Sequence, residues 1–229
     1  MTSPLLRPLL LLLAGLTVGG TVLKGLTLAA PLPERQAPAS PSLPGYRVVP
    51  IGSKAGQGGR DLSHGTLRRF QLQPTNGAPA LGLLLVPVRG RNVEHLQLAR
   101  LPAVVPEFAL FQRQLKWLGR ADATDSPPDQ LAFGRGPADP PGAITRLQTC
   151  ITPGGRGGVT EDSLIGPLIL ERHATFLPYT LTTKLKRFLG LLPNSRWECL
   201  AVQLQTPTPS DPQQLEQVWK LVGSALGRS

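Results

Sequence analysis

"LQTCITP" (147–153) and "WECLAVQLQTP" (197–207) share one design: an apolar stretch with β-branched residues, a cysteine inside it, and a closing Thr-Pro. Between them they hold both cysteines of the chain, Cys150 and Cys199. Apolar and β-branched residues suit strands, and proline ends a strand because it cannot donate to the ladder. The two stretches therefore read as strands, and the rest of the chain is placed around them.

Upstream, "YRVVPIG" (46–52), "GTLRRFQLQP" (65–74) and "APALGLLLVPVRG" (78–90) carry strand character between turn residues. The unbroken apolar run from Leu81 to Val88 suits a strand buried on both faces, with Pro87 pointing to an edge or a bulge. "SKAGQGG" (53–59) reads as a Gly-rich turn. In "EFALFQRQLKWLG" (107–119), Phe108, Phe111, Leu115 and Leu118 lie at helical spacing, which predicts a helix between Pro106 and Gly119. The Pro/Gly/Asp-rich segment 120–142 reads as a long flexible surface loop.

"AITRLQTCIT" (143–152) opens the cysteine-bearing half, followed by the loop "PGGRGGVTEDS" (153–163) and a strand candidate, "GPLILERH" (166–173). "PYTLTTKLKRFLGLLP" (178–193) gathers Leu181, Leu185, Phe188, Leu189 and Leu192 on one face, an amphipathic helix. The final segment, 210–227, has Asp211 as cap, Pro212 at the first helical position and Gln214 completing an Asp-x-x-Gln box. Leu215, Val218, Trp219, Val222, Ala225 and Leu226 form its apolar stripe. The expected architecture is α+β: a single, mostly antiparallel sheet covered by amphipathic helices.

The amino-terminal 1–32 is a different kind of sequence. It is apolar from Pro8 to Val22 and again to Leu32, interrupted by Lys24, with Arg7 as a weak positive flank. About 20 apolar residues cross a bilayer, so the segment reads as an N-terminal transmembrane helix, an uncleaved signal-anchor in preference to a cleaved signal peptide. Residues 33–44, rich in Pro and Ser, read as an extended linker, leaving 45–229 as one domain.

The chain carries a formal +10. The tail takes Arg7, Lys24, Arg35 and Glu34, so the domain keeps +8. Such an excess favours anionic partners. The tight clusters are Arg68 and Arg69, and Lys184, Lys186 and Arg187. No basic stripe interleaved with aromatics occurs, and membrane targeting argues further against nucleic acid, so anionic lipid or glycan is the simpler contact for these five residues.

A catalytic set does not assemble from the sequence. His64, His95 and His173 are far from one another and from the cysteines, and two cysteines 49 positions apart do not begin a zinc site. "PGGRGG" (153–158) lacks the Lys-Ser/Thr of a phosphate loop, and neither GxGxxG nor GxSxG occurs. No metal and no cofactor are expected. The pair "EDS" (161–163) reads as a capping turn or solvated charge. For the cysteines the residues leave three readings: a disulfide between neighbouring strands, two separate buried small side chains, or a Cys150 nucleophile assisted by His173.

"LPGYRVVP" (43–50), "LQTCITPGGRGGVTEDSL" (147–164), "HATFLPYTLTTKLKRFLGLLPNSRWECLAVQLQTP" (173–207) and the terminal amphipathic helix, behind a short anchor, together resemble the cyanobacterial exosortase-associated proteins. The resemblance spans nearly the whole chain, with 120–142 fitting it least. It implies a non-catalytic accessory of a multi-pass membrane exosortase that processes proteins bearing a C-terminal anchor signal. It also implies a single-pass inner-membrane protein with its domain in the periplasm. A tethered binding module for an anionic glycan or lipid surface is the alternative.

Overall fold

The computed structural model describes residues 37–57, 62–90, 98–118, 128–160, 162–164, 197–209 and 211–226. The central strand β4 (Leu81–Gly90) is the apolar run of the sequence, and its leucines and valines are buried on both sides. Around it lie β1 (Tyr46–Lys54), β2 (Leu62–His64), β3 (Leu67–Pro74), β5 (Phe111–Leu118), β6 (Asp129–Arg135), β7 (Arg146–Ile151), β8 (Gly157–Gly158) and β9 (Trp197–Gln205). The main path runs β1-β3-β4-β9-β7-β6-β5, with β2 on β4 and β8 on β7. Every pairing among them is antiparallel.

Pro87 sits inside this central strand because a bulge faces it. Between the pairs His64↔Val88 and Arg68↔Leu85, three residues (Gly65, Thr66, Leu67) oppose two (Val86, Pro87). The Gly65 N–H donates to Pro87 O at 2.8 Å, so β2 and β3 are one strand bent at the proline. Together they fold back on β1, and the Gln57↔His64 bridge extends that hairpin. At the far end of β4, Gly90 lies under Trp197, where a Cβ would come within 2.2 Å of the indole.

The sheet is covered on both sides. On one, the helix α1 (Pro212–Leu226) lays Leu215, Val218, Trp219, Val222 and Leu226 against Phe70, Leu72, Leu83, Leu85, Leu131, Phe133, Leu147, Leu200, Val202 and Leu204. Its cap is the expected Asp211, whose carboxylate accepts the Gln213 N–H at 3.0 Å, while the Gln214 N–H goes to the Asp211 carbonyl. On the other, a strap of two 3-10 turns, Leu98–Ala103 and Pro106–Phe108, buries Leu98, Leu101, Val105 and Phe108 against Leu84, Val86, Val88, Ala132 and Ala201. One long helix, not several, covers the sheet among the described residues; the helix expected at 178–193 and the strand at 166–173 lie outside them.

Three expectations need correction. The helix predicted over 107–119 is a 3-10 turn followed by the strand β5, paired with β6 from Gln114↔Phe133 to Leu118↔Asp129. Its apparent helical stripe combines Phe108, which the strap buries against the sheet, with Phe111 and Leu115, which are exposed. The strand that captures β5 lies within 120–142, expected as a loop: β6 is buried along nearly its whole length, with Leu131 and Phe133 in one core and Ala132 in the other. Prolines on both sides of Leu131-Ala132-Phe133 hide that short apolar core in the composition. Finally, the linker expected over 33–44 is packed from Ala37, since Ala37 and Leu43 are buried in the helix-side core. The Tyr46 N–H donates to Leu43 O at 3.2 Å.

Residues 1–32, expected as the transmembrane helix, lie outside the described residues, and among those described no helix is long and apolar enough to cross a membrane.

Candidate functional site

β7 and β9 are neighbours, paired from Arg146↔Gln205 to Ile151↔Leu200. In this register Cys150 faces Ala201, and Cys199 lies two residues further along on the same side of the sheet. Diagonal neighbours of this kind are close enough to bond, and the Cα atoms are 5.7 Å apart. Cys150 and Cys199 form a disulfide, buried in the strap-side core, and no free cysteine remains. This resolves the three cysteine readings: the side chains meet, and Cys150 has no thiol to offer as a nucleophile. His173 lies outside the described residues, as does His95. His64 is buried at the end of β2, its Nδ1 2.9 Å from Gly65 O.

Beside the disulfide the face turns polar. Gln148 and Gln203 are register partners, fully buried, and Gln148 Nε2 donates both to Gln203 Oε1 and to Phe108 O, the latter at 2.8 Å. Gln203 Nε2 donates to Glu107 O at 3.2 Å. Arg146 reaches the carbonyls of Glu107 and Ala109 at 3.2 and 3.1 Å. Three side chains from two adjacent strands thus hold three successive carbonyls of the strap. The 3-10 turn leaves these oxygens without helical partners, so the sheet must satisfy them.

Glu107 fastens the strap from the other direction. Its Oε1 lies 2.7 Å from Arg69 Nη2 and 3.7 Å from Lys54 Nζ. Burial alone would raise its pKa, but its own backbone N–H, Lys54 and Arg69 together hold the carboxyl below its ordinary value. The Arg146 guanidinium is also depressed, by burial, with nearby Asp139 opposing. Asp139 in turn accepts from the Gly136 N–H at 2.6 Å and from Thr145 Oγ1, closing the β6–β7 connection. The Thr145 bond above all holds the Asp139 carboxyl low.

The Gly-rich loop has a structural use. The Gly155 N–H donates to Thr152 O at 2.9 Å with φ at +83°, a conformation glycine adopts freely, and the turn lets β8 return along β7. The Gly157 N–H then donates to Asp129 Oδ1 at 2.8 Å. Ser163 Oγ accepts the N–H groups of Val159 and Thr160, so "EDS" supplies a capping serine; Glu161 is outside the described residues.

The anionic-surface residues do not form one patch. Arg68 pairs with Leu85 on the helix side, whereas Arg69 pairs with Leu84 on the strap side and is engaged with Glu107. Successive residues of a strand point to opposite faces, which the doublet in the sequence conceals. Lys184, Lys186 and Arg187 lie outside the described residues. Sequence reading missed Gln148, Gln203 and Glu107, because nothing marks a glutamine as buried until its strand is paired. Among the described residues no three His, Cys, Asp or Glu side chains come together as a metal site would require.

Comparison of the chain with protein-family models, with curated proteins and with solved structures finds no match.

Proposed function

We propose that the chain is an extracytoplasmic domain, tethered to the membrane by residues 1–32, that works by binding a partner and not by its own catalysis. The observation that carries this reading is the buried Cys150–Cys199 bond, which consumes both cysteines of the chain. Disulfides persist in oxidising compartments and are rare in the cytosol, so the staple supports a domain on the outer side of the membrane. The resemblance in sequence supplies the partner: a multi-pass exosortase in the inner membrane, with this domain in the periplasm as its accessory. The alternative, a receptor for anionic glycan or lipid, keeps the net charge of +10 in its favour. It loses the Arg68–Arg69 doublet as a joint contact, because the two residues face opposite sides.

Two measurements test the reading. Alkylation and mass spectrometry on protein from its native membrane should find both cysteines blocked and joined in one cross-linked peptide until reductant is added. Free thiols in native protein would place the domain in a reducing compartment and end the reading. Affinity purification of the full chain in detergent should then recover a multi-pass membrane protein; recovery of none would remove the exosortase assignment.

A further inference from the structure

We propose that the outer edge of β5 is a docking site for an extended, anionic segment of a partner protein, which adds to the sheet as a further strand. β5 ends the strand order, and among the described residues no strand lies on its outer side. Among the described residues it also gathers exposed apolar side chains. Phe111, Leu115 and Trp117 are 46, 49 and 54 % exposed, three of the five large exposed hydrophobics among the described residues. The opposite edge shows how such a strand is ordinarily guarded: β1 carries Pro50, a bulge at Ile51 and Lys54. β5 has its own bulge at Gln112 and Arg113, but that lies at one end and leaves Gln114–Leu118 in regular register.

The chemistry of the edge says what fits it. Strand alternation places Arg113, Leu115 and Trp117 on one side and Lys116 on the other. Lys116 is committed inward, to Glu216 of α1 at 2.5 Å. Arg113 is half-buried, and no acidic side chain among the described residues pairs with it. Burial depresses its guanidinium pKa. A strand added here sets an acidic side chain against Arg113 and apolar ones against Leu115 and Trp117, while backbone hydrogen bonds supply the rest.

A second copy fits less well. Residues directly opposed across an antiparallel pair share a face, so a two-fold pairing must centre on one residue. Centring on Lys116 opposes two lysines. Any other centre still gathers two Arg113 and two Lys116 along one short strand pair, in a chain of net charge +10.

The inference rests on the reading that the chain acts by binding, not on the partner's identity. It is tested on the full chain in detergent, with a synthetic peptide of β5's length that carries on one face a glutamate to oppose Arg113 and valines to oppose Leu115 and Trp117, with threonine at the intervening positions, and the same peptide with lysine for glutamate. The glutamate peptide should bind and the lysine peptide should not. Arg113→Glu should weaken the glutamate peptide about tenfold and favour the lysine peptide instead. Trp117→Ser should weaken binding by a similar factor, and hydrogen exchange of the β5 amides should slow in the complex. Arg113 is half-buried and Trp117 exposed, and a wild-type denaturant midpoint verifies each variant's fold. No binding, binding indifferent to both variants, or binding that leaves β5 exchange unchanged would overturn the proposal. So would self-association through β5, abolished by Trp117→Ser, without peptide binding. Loss of the exosortase association alone would leave the peptide result standing, and the reverse.

Discussion

On one side of the sheet, α1 sets Leu215, Val218, Trp219 and Val222 into a wall of buried leucines and phenylalanines from five strands. On the other, the strap contributes Leu98, Leu101, Val105 and Phe108 and is fixed by Gln148, Gln203 and Arg146 on its carbonyls and by an ion pair at Glu107, beside the disulfide that joins β7 to β9. The helix satisfies its own backbone and needs only an apolar face to dock. A strap of two 3-10 turns does not, so it demands polar groups at particular heights on the sheet. The helix side is held by area, the strap side by specific bonds. Perturbations that distinguish area from bonding should therefore separate the two.

The largest separation is expected at the staple. Replacing both cysteines by alanine should destabilise the domain by about 4 kcal/mol, the entropy returned to an unfolded chain whose 49-residue closure has been opened. Wild type should fall to the same stability on adding reductant, read by denaturant unfolding. Equal midpoints for oxidised and reduced wild type would deny the staple any part in holding the strap side.

On the helix side, Leu215→Ala should cost about 3 kcal/mol, the loss of a fully buried leucine and the cavity left behind. Reductant should leave that increment unchanged, because the two sites lie on opposite faces and share no partner. A Leu215→Ala penalty that shrinks when the disulfide is reduced would show that the faces are coupled through the sheet.

The asymmetry also explains what could be foreseen from the sequence. The strands at 46–52, 65–74, 78–90, 143–152 and 196–207, and the terminal helix, were legible because their apolar pattern and caps are local. β4 read as a buried run for the same reason. β5 and β6 were not legible, because the apolar residues of β5 fall at helical spacing with Phe108, prolines flank the short apolar core of β6, and each becomes a strand by pairing with the other. The strap side was harder still. Gln148 and Gln203 sit within stretches already read as strands, yet their burial follows from the arrival of Phe108 and Glu107 from positions some 40 and 96 residues away. The two cysteines were visible and their pairing was one open reading among three, since adjacency of β7 and β9 is a property of the sheet order.

The clamp itself gives the next effect. Gln148→Leu keeps the volume but removes the donor to Phe108 O and Gln203 Oε1, leaving buried acceptors unpaired. The expected cost is about 2 kcal/mol. Gln203→Leu added to it should cost less than the sum of the two single changes, because the second substitution removes one of the orphaned partners. Strict additivity would mean the glutamines do not act as a pair.

The smallest effect is at Glu107 and is a matter of pH. Its folded pKa lies below its ordinary value of 4.5, so the unfolded chain takes up the proton first as the solution is acidified. The stability this carboxylate contributes is thus present above about pH 4.5 and is lost as pH falls through the folded value. Glu107→Gln keeps the shape and removes the charge, and for a partly exposed ion pair with Arg69 the cost near neutrality should be about 0.5 kcal/mol. Wild type and variant should therefore differ slightly at pH 7 and converge as the pH falls through the folded value. Asp139, held low mainly by Thr145, titrates alike in both proteins, so it cancels from the difference. Convergence assigns the acid-sensitive part of the strap's attachment to Glu107, whereas a gap that persists at low pH means Glu107 acts through packing and its charge is incidental.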